Sequence, residues 1–143
     1  MKIASHIAAS LLGLAFVLFG ALVLFNLAPM PPLPEGTPPA HFMAAFAPTG
    51  YLKFVKGFEV LGGLLVLIPR TRRAGLLVLG PILINILAYH AFVAGGKDLF
   101  SPVLIVLVGL TLFLTWVERA AFLAFLKGSG PSGRGAVPDA GAR

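Results

Sequence analysis

The sequence contains no cysteine, which excludes disulfides, thiolate metal sites and thiol catalysis together. Any redox role must borrow a cofactor or a partner. Charge is scarce as well, since Asp, Glu, Lys and Arg make up 11% of the 143 residues, under half of the roughly 25% usual in soluble domains. Acidic residues number only 5. The histidines His6, His41 and His90 show no ligand spacing such as H-x-x-x-H, so no metal site is expected. No serine-nucleophile motif or glycine-rich phosphate loop is present. Nor is there a basic patch with interleaved aromatics, which argues against nucleic acid despite a net charge of +6.

What the sequence does hold is apolar surface: 58% hydrophobic residues and a mean hydropathy of +0.97. A water-soluble fold has nowhere to put that much of it. Four apolar runs, at about 3–28, 51–68, 74–93 and 102–126, match the roughly 20 residues that a helix needs to cross a hydrocarbon layer. The first is longer than a signal peptide's apolar region, and it runs straight into Pro29-Met30-Pro31-Pro32 without a small-residue cleavage motif. The reading is therefore an all-α integral membrane protein, a four-transmembrane-helix bundle in a single membrane domain over 1–127. A separate catalytic domain does not fit.

Prolines crowd the segment from Pro29 to Gly50, which must be a loop on one side of the bilayer. Within it, Ala40 to Phe46 can form a short interfacial helix with Phe42, Met43 and Phe46 toward lipid or bundle. Pro69 stops the second run and Arg70, Arg72 and Arg73 follow at once. Pro81 inside the third predicts a kink. Lys2, this arginine cluster, Lys127 and Arg134 fall on one side, so the positive-inside rule puts both termini in the cytoplasm and the Pro-rich loop outside. Residues 128–143, rich in Gly, Pro, Ser and Ala, read as a disordered tail.

A charge at the centre of a bilayer helix costs about 2.5–3.5 kcal/mol even on lenient scales, so ionisable residues within spans mark function or packing. Glu59 is the main one. An antiparallel hairpin about the Arg70–Arg73 turn puts Glu59 and Asn85 at like depth, and Thr111 in the fourth run falls near the same level. Lys56 stands at i, i+3 from Glu59, where the two side chains can pair. Tyr89 and His90 lie further toward the outer end, with Asn26 as a possible neighbour. The candidate buried polar or ligand site is thus Lys56, Glu59, Asn85, Tyr89, His90 and Thr111. Gly13, Gly57, Gly62 and Gly63 are the candidates for close helix packing.

The stretch Lys53-Phe54-Val55-Lys56-Gly57-Phe58-Glu59-Val60-Leu61-Gly62-Gly63, together with Asn85-Ile86-Leu87-Ala88-Tyr89-His90, resembles the DoxX-like family of small four-helix membrane proteins. The resemblance implies a prokaryotic inner-membrane protein, in a family where some members are named as subunits of a thiosulfate:quinone oxidoreductase. Three readings follow. The first is a non-catalytic membrane subunit or anchor of a quinone-linked redox or stress-response complex, with quinone as its possible cofactor. The second is a small proton-coupled carrier, which would need to form a homo-oligomer to enclose a path. The third is an assembly factor serving a client protein.

Overall fold

A computed structural model describes residues 2–28 and 32–128, and it is helical without a strand among them. The chain forms α1 (Lys2–Leu24), α2 (Pro38–Phe46), α3 (Tyr51–Leu67), α4 (Arg72–Ala88), α5 (Pro102–Val117) and α6 (Arg119–Leu126). A π-helical turn, Tyr89–Val93, prolongs α4. Helix α3 lies between α1 and α4, and α5 leans on α1 and α4.

Apolar side chains fill the interior and also cover the outside. Leu12, Phe16, Val66, Leu79 and Leu114 are buried where the long helices meet. On the outward faces Leu11, Leu18, Ile84, Val106 and Leu112 are exposed, a surface suited to lipid rather than water. Among the described residues two helices, Lys2–Leu24 and Arg72–Val93, are long and apolar enough to cross a membrane. The bent pair α5–α6 makes a third if it is one span.

Several boundaries differ from the apolar runs, each for a local reason. Helix α1 ends at Leu24 rather than near residue 28 because Asn26 takes up a left-handed conformation (φ 52°). The amide of Leu27 then donates to the carbonyl of Leu22 and that of Asn26 to Val23, the paired bonds of a Schellman cap. The fourth run is not one straight helix over 102–126. It breaks at Glu118, where the direction turns by 65° between α5 and α6, and the Glu118 carboxylate is held by Arg73 Nε at 2.7 Å. Helix α4 stays α-helical through Pro81, and the π-helical turn follows at its end. The short helix expected within the Pro-rich loop is α2, which starts earlier than Ala40. Thr37 caps it, accepting from the Ala40 amide, and prolines occupy its first positions, where the missing N–H is harmless. Most of the tail expected to be disordered, 129–143, lies outside the described residues.

The helix contacts are close because glycines stand at them. A Cβ added to Gly13 would lie 2.7 Å from the Gly63 carbonyl, and one on Gly63 would lie 2.8 Å from that of Gly13. Gly62 packs under Leu79, and Gly75 against Val66 and the Gly62 carbonyl. Gly20 meets Val60. Gly57 is a correction: nothing lies within 4 Å of where its Cβ would be. It sits about 200° around the helix from Glu59, at about 100° per residue, and so faces away from the neighbours that the Glu59 side of α3 packs on.

Candidate functional site

The first turns of α3, the end of α4 and the π-helical turn surround a partly open cavity of about 500 Å³, roofed by α2. This volume lies within the range of about 300–1,000 Å³ typical of small-ligand sites. Its floor carries the charges. Glu59 is 2% exposed, and the Lys56 ammonium donates to both of its carboxylate oxygens, at 2.8 and 2.9 Å. The i, i+3 spacing puts the two side chains on one face of α3, and each offsets the burial cost of the other. Lys56 is the more open partner and reaches the cavity.

Helix α4 supplies the second polar wall. Asn85 and Tyr89, one turn apart, both line the cavity, but they are not buried as expected: Asn85 is exposed and Tyr89 half-buried. Among the described residues neither side-chain amide nor phenol has a hydrogen-bond partner in the protein. His90 lines it too, with Nδ1 3.2 Å from the Lys97 carbonyl oxygen. Because a carbonyl only accepts, Nδ1 carries the proton there and Nε2 is left as an acceptor in the neutral ring. Left-handed Gly95 and Gly96 turn the chain back so that this carbonyl meets the ring.

The remaining walls are apolar. Phe42 and Met43 of α2 close the cavity from above, and Leu52, Val55, Ile86 and Phe92 complete it. Aromatic contacts hold the roof in place: Phe42 lies edge-on to Tyr89 at 5.2 Å, and Phe46 lies 5.1 Å from Tyr51. No residue of α2 is fully buried. The roof is thus attached by its rings rather than sunk into the core.

Not every expected residue arrives at the site. Thr111 is buried, but its hydroxyl donates to the Leu107 carbonyl at 2.8 Å on its own helix, and it does not line the cavity. A threonine within a helix satisfies itself this way when no polar neighbour is at hand. Asn26 is exposed beyond the end of α1 and serves as its cap.

The opposite end of the molecule gathers the basic residues. Arg72 is 5% exposed rather than a bare surface charge, and its Nη2 donates to His6 Nδ1 at 3.2 Å. Arg73 is engaged by Glu118. These two contacts bring the start of α1, the α3–α4 turn and the end of α5 together at one end. Neither partner, His6 nor Glu118, follows from spacing in the sequence.

No family model matches the chain, and no solved structure matches it. The chain is similar to the uncharacterized protein YwoB of Bacillus subtilis (strain 168), 33% identical over 78 residues, which are 54% of this chain and 48% of YwoB. The chain thus aligns with about half the length of that relative.

Proposed function

We propose that the chain is a DoxX-like protein of the inner membrane with four transmembrane helices, acting as a non-catalytic subunit or anchor of a redox or stress-response complex. Its cavity holds a small ligand drawn from the bilayer, a quinone being the first candidate. The observation that carries this reading is the Lys56–Glu59 pair, closed on itself at the floor of a largely apolar cavity. A buried ion pair is a weak source of stability, and one that borders a cavity lined by further unpartnered polar groups points to a bound molecule.

Support for four spans comes from packing. Helix α3 is 17 residues long, about 25 Å at about 1.5 Å per residue, which is the short end of spanning length. It is wedged between α1 and α4, and its other face exposes Phe54, Phe58, Leu61 and Leu64. If its neighbours cross the bilayer, α3 crosses with them.

Purification of the full chain in mild detergent, with mass spectrometry of bound lipids, quinones and proteins, tests the proposal. A quinone or a redox partner co-purifying with the wild type, and the quinone lost on Glu59→Gln, is the expected result. A monomer carrying neither would overturn it.

A further inference from the structure

We infer that the cavity selects an uncharged amphiphile, a molecule whose head carries carbonyl or hydroxyl oxygens and whose body is apolar, and that Asn85 is the residue that reads the head. This rests on the cavity being a ligand site and adds which chemistry it accepts.

Charge balance gives the first step. Among the described residues, the only carboxylate and ammonium lining the cavity are those of Glu59 and Lys56, and each is engaged by the other. An anionic head would have to compete with the Glu59 carboxylate for the ammonium. A cationic head would have to displace Lys56 from a carboxylate that is almost wholly buried. Either would leave an uncompensated charge in an apolar enclosure, a state that costs more than one ion pair returns. A neutral head disturbs nothing.

Hydrogen bonding gives the second step. Two of the ammonium protons are directed at Glu59, and the third is free for an acceptor. Asn85 offers both a carbonyl and an NH₂ group, unpartnered, on a helix long and apolar enough to span the bilayer. Asn85 is exposed, and on a helix within a bilayer even an exposed amide is costly unless something bonds to it. Tyr89 stands one turn further and can donate or accept, and His90 Nε2 accepts. Donors and acceptors therefore share one wall, while Phe42 and Met43 form the apolar roof above it. A hydroxyl or carbonyl head at Asn85, with its chain beneath α2, uses all of these at once.

The test uses the full chain in nanodiscs and three lauryl-chain probes, monolauroylglycerol, laurate and dodecyltrimethylammonium, followed by native mass spectrometry. Saturable binding of monolauroylglycerol, weakened at least about tenfold by Asn85→Leu and largely kept by Asn85→Gln, is expected, since about 1.4 kcal/mol of lost hydrogen bonding is tenfold. Tyr89→Phe provides a milder variant of the same wall, expected to weaken binding less. Saturable laurate binding that disappears in Lys56→Met would overturn the inference and leave a ligand site of the anionic kind. Glycerol-ester binding indifferent to Asn85→Leu would also overturn it. If none of the three probes binds saturably and nothing co-purifies with the wild type, the ligand-site reading fails and takes the inference with it.

Discussion

At the scale of single residues, the Lys56–Glu59 pair behaves differently depending on which partner is removed. Lys56→Met leaves a carboxylate that is 2% exposed without its cation, and breaking a buried pair from one side costs about 3–5 kcal/mol. Replacing both, as in Lys56→Met with Glu59→Leu, removes the orphan charge, so the double variant is expected to melt above the single Lys56→Met variant. A thermal-melting double-mutant cycle in detergent measures this, and additive losses would contradict it. The pairing itself was legible, because i, i+3 spacing on a helix leaves two opposite charges little else to do inside a membrane. Asn85 was legible from hairpin depth. Thr111 was not, since depth along an axis says nothing about which way a side chain faces, and its own Leu107 carbonyl satisfies it. Nor could the sequence show that Phe42 and Met43 line the same cavity as this pair, because α2 is joined to α1 through the proline-rich loop, whose course no residue pattern dictates.

At the scale of elements, glycine positions separate by helix face. Gly63 meets the backbone of α1 so closely that Gly63→Val must push α1 and α3 apart, with an expected loss of about 1–3 kcal/mol from overpacking. Gly57 meets nothing, so Gly57→Ala is expected to be neutral or to stabilise α3 by up to about 1 kcal/mol. Melting temperatures of the two variants, compared in one detergent, check the contrast. Helical geometry accounts for the contrast, since Gly62 and Gly63 follow Glu59 by one turn and Gly57 does not share its face. The end of α1 was harder to read. Apolar residues continue past Leu24, and only the left-handed backbone of Asn26 shows that the helix has been capped. Asn26→Gly should keep that cap, whereas Asn26→Val should lose about 1–2 kcal/mol, the cost of left-handed backbone for a side-chain-bearing residue. A melting temperature for Asn26→Val equal to that of the wild type would count against the cap.

At the scale of the whole molecule, the two ends have different chemistry. One gathers His6, Arg72, Arg73 and Glu118 through contacts between helices distant in sequence, and the other holds the cavity under α2. The arginines and the polar residues of the cavity were legible as opposite ends, because the arginines follow Pro69 in a short turn and the polar residues cluster away from it. Which end faces the cytoplasm follows in our proposal from the positive-inside rule. Part of the basic cluster is already engaged: Arg72 is buried and Arg73 is paired, so Lys2 and Arg70 carry more of the orientation signal than a simple count of arginines implies. The cysteine-free background makes the test direct, since a single introduced thiol is the only one in the chain. Cysteines at Thr71 and at Gly36 are expected to react with a membrane-impermeant maleimide from opposite sides: Gly36→Cys in intact cells, Thr71→Cys only after the membrane is opened. Reversing the balance with Lys2→Glu and Arg70→Glu should make a fraction of the chains insert the other way, visible as Thr71→Cys labelling in intact cells. Labelling of both sites from the same side in the unaltered background would break the proposed antiparallel crossing of α3, and with it the proposed four-span arrangement with the cavity in the outer half.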